Sequence, residues 1–216
     1  MRSLTPLEAR VLGVLVEKQH TVPDTYPLSL NALTAGCNQK TARFPVIEAT
    51  DAEVMTAVDG LKALSLVFEG SGSRVVKFEH NMGRVLGVPG QAVALLTVLM
   101  LRGPQTAAEL RLNCDRLHHF VDISSVEGFL EELATKEPPR VVKLARAPGA
   151  REARWAHLLC GEVAEANTAV LLDGAGGVSA GELAALKAEQ TRLAGEVEAL
   201  SALVHRLARE LGVEPE

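Results

Sequence analysis

Tyr26 to Pro45 reads YPLSLNALTAGCNQKTARFP, and this stretch decides the fold. Its front half, Pro27-x-Ser29-x3-Leu33-x3-Cys37, recurs 77 residues later as Pro104-x-Thr106-x3-Leu110-x3-Cys114. Upstream, Pro6-Leu7-Glu8-Ala9 is matched by Pro89-Gly90-Gln91-Ala92. Downstream, Val54, Val58 and Leu61 share their spacing with Val126, Leu130 and Leu133. Three segments recurring in one order, with only the loops changing length, indicate a duplicated unit of about 80 residues.

Helix starts are legible from capping boxes at Thr5-Pro6-Leu7-Glu8, Thr50-Asp51-Ala52-Glu53, Thr106-Ala107-Ala108-Glu109, Ser124-Ser125-Val126-Glu127 and Ser179-Ala180-Gly181-Glu182. In each, the hydroxyl accepts an orphan amide hydrogen and the Glu accepts another, a gain of about 1 kcal/mol per cap. The first repeat then predicts helices over 5–18, 28–38 and 51–64. A β-hairpin follows, from 66–69 through Gly70-Ser71-Gly72-Ser73 to 74–78. The second predicts helices over 90–102, 106–117 and 125–135, then strands 140–144 and 154–158 around a Pro148-Gly149 turn. Three helices closed by a two-stranded wing is the winged-helix plan. The expected fold is therefore mostly α with small hairpin wings: winged-helix domains at 1–82 and 83–162, a linker at 163–178 and a coiled-coil helix at 179–212.

The coiled coil rests on Leu183, Leu186, Leu193, Val197, Leu200, Val204, Leu207 and Leu211, which occupy a and d positions with Gln190 the only polar intruder. Such a seam is stable only when a partner helix covers it, so a homodimer is expected; packing back on the same chain is the alternative. Its e and g residues are too sparse to choose parallel or antiparallel pairing.

The motifs also carry a resemblance. Glu17-Lys18-Gln19, Pro23-Asp24, Tyr26 to Leu33, Cys37-Asn38-Gln39-Lys40 and Arg43-x-Pro45 resemble the YceH-like family of bacterial proteins over roughly residues 4–160. Phe44 departs from it, standing where the family pattern has an acidic residue. The resemblance implies a tandem winged-helix fold and leaves activity open; DNA binding, or protein contact, follows only by analogy of fold.

Totals narrow the function further. The 216 residues are 47% apolar and 23% charged, and the 3% aromatic content argues against base-stacking platforms. The longest apolar run, Ala92 to Leu101, is half the length of a membrane span. The N-terminus has no apolar stretch of signal-peptide length, and three cysteines form no CxxC pair, so a reducing, cytoplasmic location is expected. The net charge of −5 resides in residues 163–216, leaving residues 1–162 neutral.

Asn38, Gln39, Lys40 and Arg43, with Arg74 and Lys77 on the first wing, form one candidate nucleic-acid surface. Arg140, Lys143, Arg146, Arg151 and Arg154 on the second wing form another. The third helix of the first unit, with Glu53, Thr56, Asp59 and Lys62 outward, is only a weak groove reader. That of the second, with Glu127, Glu131, Glu132 and Lys136 outward, is a poor one, because an acidic face repels phosphates. Asn38 also suits a helix C-cap, and Lys40 and Arg43 suit the negative pole beside it, so the string reads better as the closure of a helix than as a base reader. No catalytic constellation, metal site, cofactor loop or small-molecule substrate is evident. The expectation is a non-enzymatic protein that binds duplex DNA or acts in transcription, with an interaction scaffold as the alternative.

Overall fold

The structure is a computed structural model that describes residues 1–70, 75–146 and 152–163. Arg74, Arg151, the Pro148-Gly149 turn and the heptad seam over 183–211 lie outside the described residues.

The elements run α1 (Pro6–Thr21), a 3-10 turn (Pro23–Thr25), β1 (Leu28–Ser29), α2 (Leu30–Cys37), α3 (Asp51–Ala63), β2 (Val67–Gly70) and β3 (Lys77–His80). They continue through α4 (Met82–Leu86), α5 (Gly90–Arg102), α6 (Ala107–Cys114), α7 (Ile123–Thr135), β4 (Val141–Lys143) and β5 (Trp155–His157). The chain is thus mostly helical, and three helices followed by a small antiparallel hairpin occur twice. No helix among the described residues is long and apolar enough to cross a membrane.

The caps at Thr5, Thr50 and Thr106 form as their sequences require, each with its reciprocal Glu. The fourth differs. Helix α7 begins two residues early, because the Asp122 carboxylate accepts the Ser125 N–H at 2.7 Å and takes the cap position from Ser124.

Other corrections concern the strands. Leu28 and Ser29 are not helical: they pair with Phe78 and Lys77, and the Ser29 hydroxyl caps α2 by accepting from the Ala32 N–H. The second strand of the first hairpin starts at Lys77, since Val75 and Val76, expected within it, are not in a strand. Its register opposes Val67 to His80 and Glu69 to Phe78, which turns Val67 and Phe78 inward on one face. The short helix α4 between the two runs has no counterpart in the expected layout.

One core runs through both runs of elements. It contains Leu12 and Leu15 of α1, Leu33 and Cys37 of α2, Val54, Val58 and Leu61 of α3, and their recurrent partners Leu110, Cys114, Val126, Leu130 and Leu133. Helix α1 packs most extensively against α5, whose residues Ala92 to Leu101 are all buried. Gly36 lets α2 come close to α1, since a Cβ there would sit 2.6 Å from Val14 Cγ1.

Candidate functional site

The string Asn38 to Pro45 is bound into the fold through three of its polar side chains, Asn38, Gln39 and Arg43, while Lys40 and Thr41 are exposed. Asn38 is the C-cap of α2, and its N–H donates to the Thr34 carbonyl. Its side-chain amide pairs with the backbone of Ala49, donating to the carbonyl and accepting from the N–H at 2.8 Å each, which ties the loop to the start of α3. Gln39 Oε1 accepts from Lys18 Nζ at 3.2 Å and from Arg43 Nη2 at 2.7 Å.

Arg43 is the chief correction to the proposed surface. Ala42 adopts a left-handed backbone (φ 58°), and the next side chain turns inward rather than toward solvent. The Arg43 guanidinium is wholly buried, donates to both oxygens of Glu17, and also donates from Nε to the Gly36 carbonyl at 3.1 Å. With its donors occupied, it offers nothing to a phosphate. Burial pushes the Glu17 carboxyl upward, but the hydrogen bond and charge of Arg43, aided by Lys18, outweigh this and hold it below its ordinary value.

A second buried arginine went unread in the sequence. Arg10, on α1, donates to the carbonyls of Cys37 at 3.1 Å and Pro45 at 2.7 Å, closing the same loop from below. A cation at the centre of the run Ala9-Arg10-Val11-Leu12 was the available signal.

Phe44, the residue that departs from the family pattern, joins the loop to the second run of elements. Its N–H donates to the Leu101 carbonyl at 2.7 Å, and its ring lies against Gly103.

Of the first candidate surface, Lys40 is exposed and Lys77 half-buried. In the second hairpin, Lys143 lies over the Trp155 ring, 5.3 Å from its centroid, and Arg146 is exposed. Arg140 is half-buried with an unpartnered Nε. Arg154 is not a free hairpin cation: it donates to both oxygens of Glu109 on α6 and to the Pro104 carbonyl.

The faces of the two third helices are acidic. On α3, Asp51, Glu53 and Asp59 are exposed, while Lys62 is paired with Asp59 and Glu69. On α7, Glu127, Glu131 and Glu132 are exposed, and Lys136 donates to the Gly87 carbonyl. Around the turn from α6 to α7, Leu112, Val121 and Ile123 are 72%, 79% and 42% exposed. Arg111 holds that turn by donating to the carbonyls of Phe120 and Val121.

Cys37 and Cys114 occupy equivalent buried positions, and burial pushes both thiols up to about 12. His118 stacks edge-on with Phe120, and His119 contacts Asp115.

Residues 4–150 match the model of a family described as protein of unknown function, DUF480. The chain belongs to this family. It is 72% identical over 216 residues to a UPF0502 protein of Burkholderia multivorans, covering 99% of this chain and 92% of that one. It is 69% identical to UPF0502 proteins of Burkholderia cenocepacia and Paraburkholderia phytofirmans, with the same coverage. The YceH-like resemblance agrees with this membership, and the names of these relatives assign no activity.

Proposed function

We propose that the chain is a non-catalytic, cytoplasmic tandem winged-helix protein that works by contacting other proteins, paired with a second copy through the heptad seam over 183–211. The observation that carries this reading is the acidity of the exposed faces of α3 and α7. Affinity for DNA depends on neutralising phosphates, and in a winged helix the third helix is the element that enters the groove. Glu127, Glu131 and Glu132 would repel the backbone they approached. The exposed Leu112, Val121 and Ile123 around the turn that leads into α7 suit an apolar contact, as in protein interfaces.

Duplex DNA remains the second reading, favoured by the exposed cations Lys40 and Arg146 and by Lys143. Fluorescence anisotropy with a mixed-sequence duplex across a salt series separates the two. Weak binding even at low salt supports protein contact. Tight binding whose affinity falls steeply with salt, and which Lys40→Ala plus Arg146→Ala abolishes, returns the assignment to DNA.

A further inference from the structure

A cavity of about 360 Å³ lies between α1, the loop at Phe44 and Pro45, the end of α5, β5 and residues 160–163. Most of its wall is apolar, including Ala9, Phe44, Leu99 and Met100, but Arg10 and His157 also line it. Arg10 is 3% exposed. Its Nη1 and Nη2 reach only backbone carbonyls, and its Nε is buried with no hydrogen-bond partner. Among the described residues, no carboxylate pairs with it. Burial, and then the like charge of Arg43, push its pKa down, with Cys37 acting weakly the other way. His157 is in a similar state, with Nδ1 buried and unpartnered, and burial pushes its pKa down to about 4, which keeps the ring neutral.

A buried charge without a counter-charge is costly, and so is an unpaired buried polar atom. Ligand sites combine apolar walls with a few convergent polar groups, span roughly 300–1,000 Å³ and favour the seams between structural units. We propose that this cavity binds a small organic anion, a one-ring or short-chain carboxylate, with its charged end toward Arg10 and its apolar body against Phe44 and Met100. Inorganic phosphate would leave the apolar wall unused. Glu162, exposed among the lining residues, opposes an entering anion by like charge.

Cys160 lines the same cavity, whereas Cys37 and Cys114 are fully buried, so its alkylation reports occupancy. The full-length protein is labelled with N-ethylmaleimide at alkaline pH, with benzoate as the probe and benzyl alcohol as its neutral counterpart. Benzoate at ten times its Kd is expected to slow Cys160 labelling about tenfold by mass action. Benzyl alcohol should not, and Glu162→Gln should lower the benzoate concentration required. Arg10→Met should remove the protection, provided circular dichroism shows it folded; if it does not fold, the alcohol control and Glu162→Gln decide. Equal protection by benzoate and benzyl alcohol overturns the proposal, as does no protection at millimolar benzoate. Labelling of Cys160 only after denaturation also overturns it, since the cavity is then closed or already filled.

Discussion

Arg43 and Glu17 are clasped end to end: Nη2 lies 2.5 Å from Oε2 and Nη1 lies 3.0 Å from Oε1, joining the loop after α2 to the C-terminal part of α1. The arginine side chain is fully buried and the carboxylate side chain is 19% exposed. Breaking such a pair strands a charge, which costs about 3–5 kcal/mol. Arg43→Met is therefore expected to lower stability by that order in urea denaturation. Arg43→Lys should recover only part of it, since an ammonium cannot reproduce the fork. A variant of unchanged stability that loses DNA binding instead would show that Arg43 leaves its buried position to act on a ligand.

Asn38 makes a two-point contact with the backbone of Ala49, and few side chains can both donate to and accept from one residue. Loss of these two bonds in Asn38→Ala should cost about 1–3 kcal/mol. It should also speed hydrogen exchange at the Ala49 amide. The exposed neighbour Lys40 serves as the control, with Lys40→Ala expected within about 0.5 kcal/mol of the parent. Similar losses for both variants would contradict the assignment of Asn38 as the loop fastener.

The recurrent layout was legible because duplicated units keep the spacing of their buried positions. Leu28 pairs with Phe78, and Gln105 bridges to Trp155, so both partners are displaced by the 77 residues read from the helix-two motif. The N-caps Ser29 and Thr106 adopt nearly identical backbone angles, φ −71° and −72° with ψ 163° in each. Side-chain destinations were harder to read. Whether Arg43 points outward depends on the left-handed turn at Ala42, and alanine carries no signal for that geometry. Arg154 resembled a hairpin cation because its partner Glu109 is 45 residues away on α6. Local spacing reports helices and caps, whereas pairing across the fold depends on long-range packing.

Two histidines make stability depend on pH. Burial, and for His80 the nearby charge of His20, push His80 down to about 4, and burial alone does the same to His157. His80 is held neutral by geometry, since its Nδ1 accepts from the Met82 N–H and its Nε2 meets Gln19 Oε1 at 2.7 Å. The unfolded chain takes up protons from about pH 6.5 downward, whereas the folded protein resists until about 4. The unfolded state binds more protons across that window, so stability is full above about 6.5 and falls as the pH drops toward 4. Urea midpoints should decline over this range. The decline should flatten in the His80→Gln, His157→Gln double variant, even though that protein starts from lower stability. A parent protein with constant midpoints from pH 6.5 to 4.5 would mean that neither histidine resists protonation.

The acidic face of α7 can be inverted to test what it confronts. Glu127, Glu131 and Glu132 are exposed, and substituting all three by Lys should leave the core residues Val126, Leu130 and Leu133 undisturbed. If α7 holds the groove-facing position of a winged helix and acidity alone bars DNA, the triple variant should gain duplex binding that the parent lacks. Its log K should then fall against log salt with a slope of about −0.9 for each phosphate newly neutralised. A variant that binds no better than the parent would show that α7 does not face the groove, and the winged-helix argument for this surface would fail. Equal and strongly salt-dependent binding by both proteins would place the contact on the hairpin cations instead, making the acidity of α7 irrelevant to DNA.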